Sequence, residues 1–144
     1  MITVITPVFN GKRFIEKCIL NVVYQNCHLG EHIIIDGGST DGTVEVIERL
    51  ADKYSHIRWI SEKDRGQSDA MNTGISMSQR DVIGFLNVDD FYEPNTLNTV
   101  ADIFLNLPKP SFLLGNCNVW DDNGKLLWVD KPKKLSMMSL MLGP

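Results

Sequence analysis

The sequence predicts an α/β fold: a mostly parallel, doubly wound sheet flanked by helices, with a β-hairpin near the C-terminus. Three observations carry that expectation. Short β-branched runs alternate with segments whose apolar residues recur at helical spacing. The run "HIIID" at 32–36 is continuously apolar before its acid, as expected for a strand covered on both faces. An Asn-Gly pair at 123–124 separates two β-rich runs, a strong hairpin signal.

The elements follow in order. "ITVITPV" is short, β-branched and punctuated by Pro7, which suits a first strand. Phe14, Ile15, Cys18, Ile19, Val22 and Val23 then mark one face of a helix. After the second strand comes "GGSTDGT", followed by Val44, Ile47, Leu50, Ala51 and Tyr54 at helical spacing. "IRWIS" is a third strand, "GQSDAMNTGISMS" a weaker helix and "DVIGFLNV" a fourth strand. Pro94 suits the first turn of the next helix, whose apolar face is Leu97, Val100, Ala101 and Phe104. "SFLLGNCNVW" and "KLLWVD" then flank the "DDNG" turn.

Bulk properties narrow the function. The chain has 144 residues, 43% hydrophobic and 22% charged, which suits one soluble globular domain with a real core. A formal charge of -4 leaves no basic footprint, so nucleic acid is not an expected partner. Lys131, Lys133 and Lys134 read as a short solvated run. The cysteines Cys18, Cys27 and Cys117 are odd in number and form no C-x-x-C pair, which argues against a disulfide framework or a zinc site. No run approaches the roughly 20 apolar residues of a membrane span, and the N-terminus starts as a strand rather than a leader. A cytoplasmic protein with reduced thiols is therefore expected. The final "LSMMSLMLGP" stops within an apolar, helix-like pattern, as in a chain cut short. Its Met137, Met138 and Met141 would leave apolar surface that favours a homo-oligomer.

Doubly wound sheets bind ligands beyond the carboxyl ends of their strands. Here those ends are Thr6-Pro7, Asp36, Ser61-Glu62 with Asp64, and Asn87 to Asp90, so acids gather on one rim. Adjacent Asp89 and Asp90 can hold a divalent cation that completes its shell with substrate phosphates, or can cap the helix starting near Pro94. In "IIIDGGSTDGT", Asp36 can accept hydrogen bonds from a base or ribose, while Ser39, Thr40 and Asp41 offer helix caps. The same stretch also serves as a plain strand-to-helix connection. It is neither a P-loop nor a dinucleotide fingerprint, and the calcium-loop spacing fails because position six is Asp41, not Gly. "SEKDRGQSDAMNTGI" packs Glu62, Asp64, Arg65, Asp69 and Asn72 around a helix start, either as a solvated loop or as part of the rim site. His28, His32 and His56 read as surface residues, and no hydrolase triad is visible.

Four segments in register, "VITPVFNG" at 4–11, "IIIDGGSTDGT" at 33–43, "SEKDRGQSDAMNTGI" at 61–75 and "VIGFLNVDD" at 82–90, give the chain a specific likeness. It resembles the amino-terminal, donor-binding part of family 2 glycosyltransferases with the Rossmann-like GT-A fold, and among them the bacterial enzymes of capsule, exopolysaccharide and lipopolysaccharide synthesis. The resemblance implies one donor-binding domain over 1–144, ending before the acceptor and general-base part. It implies a nucleotide-diphosphate sugar as donor, a glycan or lipid-linked acceptor, and Mg2+ or Mn2+ on the diphosphate. By position, Thr6 and Pro7 would line the nucleoside pocket, and Asp36 would sit against the base or ribose. Asp64 and Asp69 would border the donor pocket, Asp89 would reach the ribose or the metal, and Asp90 would be the principal metal ligand. Transfer would be inverting, at a site reached from the inner face of the membrane by a peripheral protein.

Two departures stand out. Many relatives carry a second acid where this chain has Gly37, so the base stays open. The general base that the resemblance implies would lie beyond Pro144, and Glu93 and Asp121 are poor substitutes. A non-catalytic nucleotide-sugar-binding or interaction module is the alternative. A sugar-nucleotide nucleotidyltransferase is disfavoured, because "TPVFNGKRF" supplies only Gly11 where a glycine-rich basic loop is needed.

Overall fold

Strand β1 (Ile2–Val8) organises the structure, a computed structural model that describes residues 2–27, 30–107, 111–121 and 123–132. It pairs in parallel with β2 (Gly30–Asp36) on one side and β4 (Val82–Phe85) on the other. Strand β3 (Ile57–Ser61) adds to β2, giving a four-stranded parallel sheet in the order β3-β2-β1-β4. Three helices form the parallel crossovers: α1 (Lys12–Tyr24), α2 (Thr43–Lys53) and α3 (Gln67–Met77), with α4 (Thr96–Leu105) after β4.

Side-chain alternation decides which helix covers which face. Val8, Ile34 and Ile57 meet Ile15 and Ile19 of α1 and Ile47 and Leu50 of α2. Ile2 and Val4 pack with Cys18 and Val22 of α1 and Leu97 of α4. The opposite parity, Ile5, Ile33 and Ile35, packs on Ala70 of α3. The sheet is therefore doubly wound, as the sequence predicts. Each fully buried isoleucine contributes about 1.5–3 kcal/mol relative to exposure, so the centre of the sheet carries most of the stabilisation.

The chain divides into two compact units, Met1–Asn106 and Leu107–Pro144. Among the described residues, the second contains the expected hairpin, β5 (Cys117–Trp120) antiparallel to β6 (Leu126–Asp130). Gly124 takes φ +76°, and the Asp121 carboxylate accepts from the backbone N–H of Asn123 and Lys125, which closes the turn. No helix among the described residues is long and apolar enough to cross a membrane. His28, Lys133, Lys134 and the methionine tail fall outside the described residues.

Three local expectations change. Strand β4 ends at Phe85, because only Leu86 N–H still reaches the Ile5 carbonyl before the chain turns away. Helix α4 starts at Thr96, since Asn95 adopts the left-handed conformation (φ +65°); Pro94 therefore lies in the preceding turn. His32 is not a surface residue but is fully buried, because β2 begins two residues earlier than its apolar run and lies in the sheet's interior. Its Nε2 lies 2.9 Å from Thr6 Oγ1, and Nδ1 has no partner among the described residues.

Two tests follow from this packing. Burial, with His56 as a second cause, pushes the His32 pKa down from 6.5 to about 3. The folded state thus holds a neutral imidazole while the unfolded chain binds a proton. Folding stability should fall as pH drops through 6.5 toward about 3, by on the order of 1.4 kcal/mol per unit from this group. Denaturant titrations between about pH 7 and 5 measure the loss, and an imidazole NMR signal of His32 that titrates near 6.5 would refute it. The second test concerns α3, where a Cβ added at Gly74 would clash with Ile5 Cγ2, a rigid branch of the central strand. Gly74→Val should therefore cost about 1–3 kcal/mol by overpacking, read as a lower urea midpoint at constant m-value.

Candidate functional site

At the carboxyl end of the sheet the four strands open into a cleft of about 670 Å³. Its walls come from Pro7, Val8 and Phe9 after β1, Gly37 after β2, Lys63 and Asp64 after β3, and Asn87, Val88 and Asp89 after β4. The first turns of α3, with Gly66, Gln67 and Ala70, close one side. The volume lies within the range typical of small-molecule pockets. Topology makes this site: the chain leaves β1, β2 and β4 toward helices on one face of the sheet and β3 toward α3 on the other, so the loops diverge.

The rim acids have different fates. Asp36 is completely buried at the end of β2. Its Oδ2 accepts from Gly38 N–H at 3.1 Å, Ser39 N–H at 2.9 Å and Ser61 Oγ at 2.7 Å. Its Oδ1 is buried without a hydrogen-bond partner among the described residues. Asp41 joins two helix starts by accepting from Lys12 N–H and Thr43 N–H, and the Thr43 hydroxyl does most to lower its pKa. Asp64 lines the cleft, its Oδ1 accepting from Gly66 N–H at 2.8 Å, where Gly66 has φ +112°. Asp69 turns to Arg65, whose side-chain hydrogen bonds hold its carboxyl below the ordinary range.

Asp89 and Asp90 are both exposed, and Asp89 faces the cleft. Asp90 Oδ2 accepts from Asn87 Nδ2 at 3.0 Å, and Asn87 Oδ1 accepts from Gln67 Nε2 at 2.7 Å. Neither aspartate caps α4, whose N-cap is Asn95. Burial pushes the Cys18 thiol up to about 11, against a lowering contact from Thr6 and with the charges of Asp90 and Asp89 adding to the rise, so it is neutral behind the loop.

Pro7, Asp64 and Asp89 therefore share the cleft, with Asp90 adjoining it through Asn87. Thr6 is buried and turned toward His32 and Cys18, and Asp36 lies beneath the Gly37–Ser39 loop. Gln67 and Lys63 join the cleft without a sequence signal, because nothing in their spacing distinguishes them from solvated loop residues. Among the described residues no cluster of three or more His, Cys, Asp or Glu could hold a metal. The oxygen-only donors Asp89 and Asp90 fit a hard cation such as Mg2+ or Mn2+ that takes its remaining ligands from phosphate and water.

Comparison with known proteins places the fold in a family. An uncharacterized glycosyltransferase of Haemophilus influenzae is 30% identical over 146 residues, which is 99% of this chain and 58% of that protein. The chondroitin synthase of Escherichia coli is 30% identical over 104 residues, covering 72% of this chain and 15% of the synthase. The chain thus spans only part of the relatives it matches. In structure it is similar to the mannosyltransferase PcManGT from Pyrobaculum calidifontis, solved in complex with GDP-Man and Mn2+. The TM-score is 0.67 at 25% identity, over 74% of this chain and 32% of that one. The parallel sheet with its flanking helices is the GT-A arrangement that the four sequence segments implied. The family model described as Glycosyl transferase family 2 matches residues 3–137, and the chain belongs to that family.

Proposed function

We propose that this chain is the donor-binding part of an inverting, metal-dependent glycosyltransferase. It would take a nucleotide-diphosphate sugar and serve transfer to a glycan or lipid-linked acceptor in cell-surface polysaccharide synthesis. The observation that supports this most is the cleft at the sheet's carboxyl end, which gathers Pro7, Asp64, Lys63 and Asp89 around a volume suited to such a donor.

In this reading each wall has a task. Pro7, Val8 and Gly37 give a flat, close-approach surface for the nucleoside. Asp36, buried beneath the Gly37–Ser39 loop and outside the cleft lining, would act by holding that loop beside the nucleoside. Asp89 and Asp90 would hold Mg2+ or Mn2+ with one oxygen of Asp90 already fixed by Asn87. When bound, the cation neutralises the charge that develops on the diphosphate leaving group. Lys63, on the opposite wall, adds positive charge near the phosphates. The complex of PcManGT with GDP-Man and Mn2+ supports the same pairing of donor and cation here.

The test is a thermal-shift screen of UDP, GDP, dTDP and CDP, each with and without Mn2+. A ligand that binds only the folded chain, at about 100 times its Kd, adds about 2.7 kcal/mol, so at least one nucleotide should raise Tm by several degrees with Mn2+. Asp90→Asn should keep the ligand-free Tm and lose most of the Mn2+-dependent part. No shift with any nucleotide at millimolar concentration would reject the proposal.

A further inference from the structure

We infer that Gln67 is a positioning residue for the cation site, acting on Asp90 through Asn87; this rests on the reading of Asp90 as a metal ligand. The chain Gln67 Nε2 to Asn87 Oδ1 (2.7 Å) and Asn87 Nδ2 to Asp90 Oδ2 (3.0 Å) has only one chemically permitted direction. An ionised carboxylate only accepts, so Asn87 must present its NH2 group to Asp90. That leaves the Asn87 carbonyl facing Gln67, which must then present its own NH2 group. The direction of two freely rotatable amides is thus dictated by the charge at one end.

The consequence for Asp90 is a fixed carboxylate. Asn87 grips it twice, since Asp90 N–H also donates to the Asn87 backbone carbonyl at 3.1 Å. Oδ2 is occupied, and Oδ1 makes no hydrogen bond among the described residues, which leaves it for a cation. Gln67 opens α3 on the third-strand side, while Asn87 follows the fourth strand, so the relay joins two loops along the cleft wall. Both amides are exposed, and exposed neutral hydrogen bonds contribute little to folding. Ligand-orienting partners of this kind typically change metal affinity about 10–100-fold when lost.

Gln67→Glu gives the sharpest test, because it replaces the amide nitrogen by oxygen and adds a negative charge near the site. The introduced carboxylate would draw the Asn87 NH2 group to itself and turn the Asn87 carbonyl toward Asp90. The relay therefore predicts that Q67E weakens Mn2+ binding about tenfold or more, despite the added charge. Gln67→Ala should weaken it less. Mn2+ affinity is read by electron paramagnetic resonance titration of the full chain with GDP or UDP at a concentration saturating for each variant; metal-free nucleotide affinity is measured alongside, which separates repulsion of the nucleotide by the new charge from loss of the cation. Asn87→Leu keeps the volume, removes both side-chain hydrogen bonds and must reproduce the loss, which guards against a Q67E chain that folds poorly. Tighter or unchanged Mn2+ binding in Q67E, or wild-type affinity in N87L, would overturn the inference. Wild-type chain that binds nucleotide without any Mn2+ effect would instead overturn the metal reading, and this inference with it.

Discussion

The buried carboxylate of Asp36 is the constraint on which the site depends. Taking an ionised carboxylate out of water costs several kcal/mol unless donors replace the lost solvent. Here three donors converge on one oxygen: two backbone N–H groups from the loop after β2 and the hydroxyl that ends β3. Hydrogen bonds to a charged group are worth about 1.5–3 kcal/mol each, enough to offset the burial and to fix the loop's path. The Gly38–Ser39 segment is thereby held, and Ser39 Oγ in turn accepts from Asn10 N–H at 2.7 Å, which ties in the loop after β1. One charge at one strand end thus sets the positions of three of the cleft's loops.

From that anchor the other acids divide by what they meet. Asp41 and Asp121 are absorbed by local backbone geometry, at a helix start and a hairpin turn. Asp69 is absorbed by Arg65. Asp64, Asp89 and Asp90 keep carboxylate oxygens toward the cleft or beside it. A rim of like charges is unfavourable by itself, and in the proposed reading a cation at Asp89 and Asp90 offsets that repulsion. Lys63 offsets part of the charge from within the same cleft.

Much of this is legible in the chain. The β-branched runs and helical apolar spacing set the strand and helix order, because a parallel sheet buried on both faces needs long apolar strands and amphipathic crossovers. The acidic strand ends are legible as a site for the same topological reason. What escapes depends on three-dimensional partners. His32 reads as a surface residue because a histidine next to an apolar run usually marks a strand edge; its polar partner inside the fold, the Thr6 hydroxyl, comes from the neighbouring strand. The Gln67–Asn87–Asp90 relay joins residues 20 positions apart, with no periodicity to announce it. Helix α4 begins later than Pro94 suggests because Asn95, not proline, takes the turn conformation.

Gly37 shows how packing at the floor of the cleft constrains the residue that can stand there. A Cβ placed there would lie 2.9 Å from Asp64 Oδ2 and 3.2 Å from both Asp64 Cγ and Oδ1. A side chain at position 37 and the Asp64 carboxylate in its present place therefore exclude one another. Asp64 cannot yield cheaply, because its Oδ1 is tied to Gly66 N–H at the entry to α3, where the backbone is left-handed. In this chain the space beside position 37 is thus taken by a carboxylate projected from the loop after the third strand. The glycine at 37 and the Asp64 carboxylate 27 residues later are two sides of a single packing arrangement.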